Sequence, residues 1–279
     1  MDNYLKTNYN LNDKETVSVI DELPLWSASF GLKLLDKIKY QKNITVLDIG
    51  SGLGFPLLEI AMRLGNTCKV YGIDPWERAV ERIKSKIRLY GIKNTEIITG
   101  VAEKIPLPDK SIDLVISNNG LNNVDDLEKV LRECSRVSKP GSQLLFTFNT
   151  NKTMIEFYSV FELVLLEKNM IDEIELMKEH IYKKRKPVEE IVRLLNKNGY
   201  TVNEIHNEQF RYKFADGSAM FNHFLIKLAF IGSWKELLPE DRQKEIFKEI
   251  ETRLYDQAVK TGCLQLTIPF ALIDCKRAE

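Results

Sequence analysis

The chain has 279 residues, of which 44% are hydrophobic and 29% are charged. This length is sufficient to bury a sizeable core, either in one elaborated domain or in two smaller ones. The 40 basic side chains balance 40 acidic ones, and a net charge near zero argues against bulk electrostatic binding to nucleic acid or to an anionic membrane.

Cysteine usage and the N-terminal residues bear on cellular location. The four cysteines are widely spaced and form no C-x-x-C pair, which favours reduced thiols over a redox motif or a metal site. The first residues lack the basic and apolar segments of a signal peptide, and no stretch of about 18 apolar residues predicts a membrane span. We therefore expect a cytoplasmic protein with no metal centre.

Strands and helices alternate through the first half of the chain. A pattern with Phe30, Leu34 and Ile38 predicts a helix at about residues 27–39, which either packs on a sheet or covers the edge of a ligand pocket. Because the following strands are almost continuously apolar and alternate with helices, the pattern indicates an α/β fold whose parallel sheet is covered on both faces. The predicted strands are at residues 46–49, 69–74, 95–99, 112–117 and 143–148.

After residue 153 long helical patterns dominate, among them a strongly apolar one over residues 219–237. Strand-like segments occur there only at 201–214 and 264–275. These helical blocks are too long for simple connections, so we interpret them as a cap over the carboxyl-terminal edge of the sheet, where open α/β folds bind ligands. The predicted division is an N-terminal helical cover (1–43), a ligand-binding core (44–150), a helical cap that includes the sixth strand (151–262) and a final strand that completes the core sheet (263–279).

The most informative stretch is VLDIGSGLGF at residues 46–55, which is typical of a strand, a glycine turn and the start of a helix. Glycine has no Cβ and can take positive φ, so such a turn lets a ligand press against the backbone. A dinucleotide site would have the spacing G-x-G-x-x-G, but the sixth position counted from Gly50 is Phe55, and Asp48 would set a like charge near a pyrophosphate. Both features disfavour NAD. Asp74, which ends the second strand, could accept hydrogen bonds from the two hydroxyls of a ribose, whether or not the ligand is a dinucleotide.

Four stretches in the correct order resemble the motifs of class I S-adenosylmethionine-dependent methyltransferases, in the type 11 group that acts on small molecules. They are VLDIGSGLG (46–54), GIDP (72–75), GVAEKIPLP with SIDLV (100–108 and 111–115), and LRECSRVSKPGS (131–142). The resemblance covers about residues 44–149. It implies S-adenosylmethionine as cofactor and a Rossmann-like, mainly parallel seven-stranded sheet with helices on both faces and a helical cap inserted around the sixth strand.

The resemblance also assigns roles on the methionine and ribose side of the cofactor. Asp48 would approach the amino group of the methionine part. Gly50, Gly52 and Gly54 would form the floor of the site. Asp74 would hold the ribose hydroxyls.

On the adenine side, the resemblance implies that Pro75 and Trp76 lie against the ring and that the Ala102 backbone meets its edge. Many relatives have an aspartate where this chain has Val101, and that aspartate bonds the adenine amino group. Either Glu103 or the backbone alone would have to serve instead.

The residues that would receive the methyl acceptor are less defined. Asn118 and Asn119 follow the fourth strand, near the methionine part in the family, and with Asn122 and Asn123 they either bond a polar small molecule or fill turns. The Asn/Asp-Pro-Pro-aromatic motif of nucleic-acid amino-methyltransferases is absent there, which argues against DNA or RNA adenine as substrate. His223 could act as a base near neutral pH, or could lie on the polar side of an amphipathic helix.

One short basic run, KKRK at residues 183–186, is expected to be a solvated linker between helices rather than a phosphate site. No catalytic residue is predicted.

The predicted function is the direct in-line transfer of a methyl group from the sulfonium of S-adenosylmethionine to a small-molecule acceptor. The donor is already activated, so the protein mainly has to position the acceptor and exclude water. Two alternatives remain open: a non-catalytic S-adenosylmethionine-binding regulatory or scaffold domain, and an NAD-dependent oxidoreductase. We expect no nucleic-acid or membrane partner, and the pattern predicts no oligomeric state.

Overall fold

The computed structural model describes residues 3–22 and 25–279 and forms one seven-stranded sheet in the order β3-β2-β1-β4-β5-β7-β6. Strands β1 to β5 pair in parallel, whereas β7 runs antiparallel to β5. The strands are β1 (Thr45–Ile49), β2 (Lys69–Asp74), β3 (Thr95–Thr99), β4 (Ile112–Asn118), β5 (Ser138–Asn149), β6 (Tyr200–Phe214) and β7 (Leu264–Arg277). The predicted α/β, Rossmann-like, mainly parallel sheet is thereby confirmed.

The helices fall into two groups along the chain. The first group alternates with β1 to β5 and comprises α1 (Lys14–Asp21), α2 (Leu25–Lys37), α3 (Leu57–Leu64), α4 (Glu77–Tyr90) and α5 (Leu127–Val137). The second group precedes and follows β6 and comprises α6 (Ile155–Glu167), α7 (Ile171–Lys184), α8 (Val188–Lys197), α9 (Gly217–Asn222), α10 (Phe224–Ala229), α11 (Ile231–Lys235) and α12 (Glu240–Thr261).

The chain folds into two compact units. We call the first the core unit, which comprises residues 11–150, 186–208 and 270–279, and the second the helical unit, which comprises residues 1–10, 151–185 and 209–269. Residues 186–208, with α8 and the first part of β6, thus join the core unit, although they fall within the predicted cap range. Residues 1, 2, 23 and 24 of the predicted N-terminal cover lie outside the described residues.

The inner strands β1 and β4 are buried on both faces, which explains why most of their residues are apolar. On one face, Val46 packs in a cluster with side chains of α2 and α3, such as Leu34 and Ile60. On the other face, Leu47 packs in a cluster with side chains of α5 and α8, such as Leu131. Successive strand residues alternate between the two clusters because side chains along a strand point to opposite faces.

The helical unit has an aromatic core of its own. Trp234 stacks on Phe157 with ring centroids 3.9 Å apart, and its indole N–H donates to the Tyr158 hydroxyl at 3.0 Å. Phe221 packs edge-on against Phe247 of α12, and α12 also packs along α6. These large rings bury the apolar area that stabilises the unit.

One predicted helix is wrong in its continuity. The apolar pattern over residues 219–237 predicts a single helix, but the chain forms α9, α10 and α11 instead. The breaks fall at His223, whose ψ of 134° is extended, and at Phe230, whose φ of −126° leaves the helical region. Periodicity reports which side chains are apolar, whereas these breaks are set by backbone angles that periodicity does not contain.

Within the described residues, no helix combines the length and apolar character needed to cross a membrane.

Candidate functional site

A cavity of about 370 Å³ opens at the carboxyl ends of β1, β2 and β4 in the core unit. Its walls are the turn after β1, the end of β2, the loop after β3 and the segment after β4. β1 lies between β2 and β4 in the sheet, so the cavity lies where the strand order reverses. Open α/β sheets bind their ligands at this kind of position.

The glycine turn after β1 requires glycine at two positions for different reasons. Gly50 has a φ of +72°, and a Cβ there would lie 2.9 Å from the Cα of Gly120, so two loops meet through bare backbone. Gly52 has a φ of +50°, lines the cavity, and would place a Cβ in space where no atom lies within 4 Å. A ligand can therefore approach the backbone at Gly52 as closely as the turn allows.

Asp74 fixes the shape of that turn. One of its carboxylate oxygens accepts from the Gly52 N–H at 2.8 Å, and the other accepts from the Trp76 N–H at 2.9 Å. The side chain lines the cavity with 8% of its surface exposed. Because each carboxylate oxygen has a further lone pair, Asp74 can accept hydrogen bonds from two ligand hydroxyls without releasing the loop.

Asp48 is fully buried, with 0% of its surface exposed. Neither carboxyl oxygen has a hydrogen-bond partner among the described residues. Burial raises the pKa of this carboxyl well above its ordinary range, and the nearby Asp74 charge adds to the effect.

Two other polar groups on the loops around the cavity are also buried without a hydrogen-bond partner in the described chain. The Ser51 hydroxyl and the Asn119 side-chain oxygen are buried and have no partner in the described part of the chain. Buried polar groups in folded proteins are nearly always paired. Of these three groups only Asn119 lines the cavity, so its unpaired oxygen is the one that points to a ligand or ordered water there.

The loop after β3 is held against the start of α5. Glu103 accepts from the N–H groups of Asp125 and Asp126 at 3.0 and 3.3 Å. The side chain lines the cavity, but this oxygen is already engaged with backbone. Ala102, which precedes it, is buried in the cavity wall.

An ion pair on α5 secures the same loop further along. Arg136 donates to the carbonyls of Ile105 and Leu107 at 2.7 and 2.9 Å. Its partner Glu133 accepts from the Ile105 N–H at 2.8 Å, and Arg136 holds the pKa of Glu133 below its usual range. The loop that carries Ala102 is therefore clamped from the helix side.

The two asparagines after β4 differ in what they contact. Asn118 donates to the Ser27 carbonyl at 2.9 Å and accepts from the Thr147 hydroxyl at 3.2 Å, so it joins β4, β5 and α2. Asn119 adopts a left-handed φ of +64°. At Gly120, a Cβ would lie 2.5 Å from the Ile49 carbonyl oxygen, so only glycine fits.

The structure brings most of the predicted site residues together. Those that line the cavity are Gly50, Gly52, Asp74, Pro75, Ala102, Glu103, Asn118 and Asn119. Asp48, Gly54 and Trp76 are not in its wall: Gly54 packs toward Leu58, and the Trp76 indole N–H donates to the Leu11 carbonyl at 3.0 Å. The cofactor contacts of all these residues stay predictions.

The site also includes residues outside the predicted cofactor-binding set, among them Trp26, which the sequence offered either as a pocket residue or as part of the core. Trp26 at the start of α2 and Gly120 line the cavity. Lys86 on α4 donates to the Leu53 carbonyl of the glycine turn at 2.7 Å and pairs with Asp21. Gly120 had a sequence signal, since it follows the asparagine pair directly. Lys86 had none, because its contact depends on how α4 packs.

His223 lies between α9 and α10 in the helical unit. Its Nδ1 is buried without a hydrogen-bond partner in the described residues, and its ring packs edge-on against Phe214 at 5.4 Å. Burial lowers its pKa, and the Lys227 charge lowers it further, which favours the neutral ring. Its possible role as a base stays a prediction. Across residues 3–22 and 25–279, no group of three His, Cys, Asp or Glu side chains could hold a metal ion.

Comparison with known proteins identifies relatives of this region. A family model described as a methyltransferase domain matches residues 40–155. The demethylmenaquinone methyltransferase of Geobacillus stearothermophilus is 31% identical over 128 residues, which are 46% of this chain and 55% of that protein. The corresponding protein of Listeria welshimeri is 37% identical over 107 residues, 38% of this chain and 45% of the relative. The chain thus spans about half the length of the curated relatives it matches.

Solved structures share the fold. A putative methyltransferase from Bacillus halodurans superposes with a TM-score of 0.58 at 18% identity, covering 90% of this chain and 100% of that one. The YcgJ protein of Bacillus subtilis superposes with a TM-score of 0.57 at 20% identity, covering 90% and 99%. At these identities the likeness concerns the fold alone. Residues 40–155 are therefore similar to a methyltransferase domain, in line with the predicted resemblance to class I S-adenosylmethionine-dependent methyltransferases.

Proposed function

We propose that this protein binds S-adenosylmethionine in the cavity of the core unit and transfers its methyl group to a small-molecule acceptor. The observation that carries the proposal is the glycine turn: Gly52 leaves open space against its backbone, while Asp74 holds its N–H and faces the same cavity. The family match covers this turn.

The residues present fit the cofactor chemically. Its amino group and sulfonium carry positive charge, and the turn adjoins the unpaired carboxyl of Asp48, which lacks a donor. Its ribose offers two hydroxyls, for which Asp74 has lone pairs to spare. A pyrophosphate, by contrast, would bring negative charge toward the Asp74 carboxylate in the cavity wall, which disfavours a dinucleotide.

The chain's contribution to the reaction is binding and orientation. S-adenosylmethionine, when bound, supplies a methyl group already activated by its sulfonium. Asp74 orients the ribose through its hydroxyls, and the fixed turn from Gly50 to Gly54 limits how the methionine part can lie. Holding a reactant in one orientation removes much of the entropic cost of the bimolecular reaction. The Asn119 oxygen, buried and unpaired, is available to accept a hydrogen bond from a ligand donor.

The nature of the acceptor is proposed only as a class. The curated relatives are named for demethylmenaquinone, so that compound belongs in a substrate panel. The family match ends at residue 155, before most of the helical unit, so the region expected to recognise the acceptor has no matched counterpart in the family model.

A labelled-methyl assay tests the proposal. Isotope-labelled S-adenosylmethionine is incubated with the protein and a small-metabolite extract, with demethylmenaquinone as a separate arm. We expect labelled product with the wild type and at least a tenfold lower rate at limiting cofactor with Asp74→Asn, since loss of a hydrogen bond to a charged group costs about 1.5–3 kcal/mol.

Asp113→Asn is the matched control, because Asp113 also accepts from a backbone N–H, that of Thr45 at 2.9 Å, but lies at the other end of the strands. We expect it to retain the wild-type rate. Binding of S-adenosylmethionine with no labelled product from any arm would favour a regulatory or scaffold role instead.

A cytoplasmic site of action is also part of the proposal. Fractionation of cells that express the tagged protein would test it, with the expected signal in the cytosolic fraction and a membrane-pelleted signal as the contrary result.

A further inference from the structure

Arg185 is a buried cation with an incomplete set of partners. It is the C-cap residue of α7, directly after Lys184, and its backbone N–H donates to the Ile181 carbonyl at 2.8 Å. Only 7% of its surface is exposed. Its Nη1 is fully covered and has no hydrogen-bond partner among residues 3–22 and 25–279. This contradicts the expectation that the whole basic run at 183–186 is solvated.

The contacts that Arg185 makes with an aromatic ring and with the end of α7 do not give its Nη1 a hydrogen-bond acceptor. The guanidinium lies over the Tyr158 ring, with Cζ 5.7 Å from the ring centroid. The Tyr158 hydroxyl is itself engaged by the Trp234 indole N–H. A cation over an aromatic face is attracted to it, and a cation at a helix C-terminus is favoured by the helix dipole. Neither interaction accepts a hydrogen bond from the guanidinium.

Acidic side chains on α6, the helix that carries Tyr158, are committed elsewhere in the helical unit. Glu156 accepts from the Thr267 N–H at 2.9 Å, Glu162 lies 3.5 Å from Lys178, and Glu167 pairs with Arg253. No carboxylate in the described chain forms an ion pair with Arg185.

Basic side chains flank Arg185 in the sequence, at Lys183, Lys184 and Lys186. His180 has a pKa lowered first by burial and then by the charges of Arg185, Lys184 and Lys183. These cations supply no counter-ion to the guanidinium. A planar guanidinium with free donors binds carboxylate and phosphate oxygens in a forked geometry.

We propose that Arg185 is an anion-binding residue of the helical unit that receives a carboxylate or phosphate group of a small molecule. The proposal rests on the burial of Arg185, on its unpaired Nη1 and on the absence of a carboxylate partner in the described residues.

Thermal unfolding with inorganic phosphate or benzoate as probes tests the anion site directly. An anion that binds the folded state raises the Tm with increasing concentration. We expect this rise in the wild type and its loss in Arg185→Met. In the absence of anions, Arg185→Met should raise the Tm by roughly 3 °C, because it removes an uncompensated buried charge.

Two further variants keep the test decisive. Lys183→Met, at an exposed position of the same helix, should keep the wild-type anion response. Arg185→Lys keeps the charge but loses the fork, and we expect at least a tenfold weaker response from a folded protein. No rise of the Tm with phosphate or benzoate in the wild type, or an unchanged rise in Arg185→Met, would overturn the proposal and make Arg185 a structural residue.

Discussion

At the scale of single residues, two carboxyl groups near one turn have opposite surroundings. Asp74 is satisfied by two backbone N–H groups, whereas Asp48 is fully buried with no partner in the described chain. Asp74 fixes the shape of the site, whereas the Asp48 carboxyl lacks a hydrogen-bond donor among the residues described. Their positions were predictable from the glycine motif. Their different hydrogen bonding was not, because it depends on how β2 lies against the turn.

Replacing Gly52 with alanine tests whether the open space beside the turn is a binding surface. A Cβ at this positive φ strains the backbone by about 1 kcal/mol and projects into the cavity. Gly91 is the matched control, since it has a φ of +68° and no atom within 4 Å of its Cβ position but lies at the end of α4. We expect both variants to lose similar stability by chemical denaturation. Only Gly52→Ala should lose S-adenosylmethionine affinity, by tenfold or more in calorimetry, and equal affinity in the two variants would remove Gly52 from the site.

Asp48 should make stability depend on pH. Burial raises its pKa in the folded state, so the folded protein holds a proton that the unfolded chain has released. Stability therefore falls as pH rises from near 3.8, the ordinary pKa of the carboxyl, through the raised pKa of the folded state, and is level above it.

Asp48→Asn removes this dependence of stability on pH. Without cofactor, we expect the variant to exceed the wild type in unfolding free energy by on the order of 1–3 kcal/mol at pH 8 and to gain nothing at pH 3. A wild-type advantage at pH 8 would show that Asp48 has an ionic partner.

At the scale of elements, the loop after β3 is shaped by α5 rather than by its own sequence. Glu103 and Arg136 make this connection through backbone groups on both sides. The motif at residues 100–108 was recognisable because strand, loop and helix occur in a regular order. The hydrogen bonds from Arg136 to this loop could not be recognised from the sequence, because Arg136 and Ile105 come together only through the packing of α5 on the sheet. Likewise, apolar periodicity gave the existence of helical segments at 219–237 but not their breaks.

Arg136→Met should loosen this loop. The change removes hydrogen bonds to the Ile105 and Leu107 carbonyls and the pair with Glu133, and we expect a loss of about 1–2 kcal/mol in urea unfolding, since the arginine is partly exposed. S-adenosylmethionine affinity should fall several-fold because the cavity wall at Ala102 is less ordered. Arg132→Met, an exposed position one turn away on α5, should change neither quantity. Equal effects of the two changes would mean that the clamp is not responsible.

At the scale of the whole molecule, the core unit is built from three separate stretches of the chain. β7 pairs with β5 along residues 143–149, and Ala271, Ile273 and Cys275 of β7 belong to a core cluster. The sequence predicted that the last strand completes the sheet, because it is apolar and β-branched. It could not show that residues 186–208 join the same unit, since α8 has the same amphipathic pattern as its neighbours.

A chain truncated after Thr150 should therefore fail to fold, although the matched family region lies almost wholly within it. The truncation exposes the β5 edge and the apolar side chains that β7 and α8 cover, and exposed apolar strand edges promote aggregation. We expect aggregates by size-exclusion chromatography and no cooperative melt by circular dichroism. A chain ending at Arg277, which retains all of β7, should melt cooperatively. A cooperative melt of the shorter chain would show that the first stretch is an independent domain.

The most direct test of the account is a calorimetric titration of the full chain with S-adenosylmethionine, followed by the same titration with NAD. The turn geometry, the spare lone pairs of Asp74 and the unpaired carboxyl of Asp48 all favour a cationic nucleoside over a dinucleotide. We predict one S-adenosylmethionine site with a Kd of about 1–100 µM, or about −8 to −5.5 kcal/mol, and no heat of binding for NAD. Saturable binding of NAD without binding of S-adenosylmethionine would contradict the account.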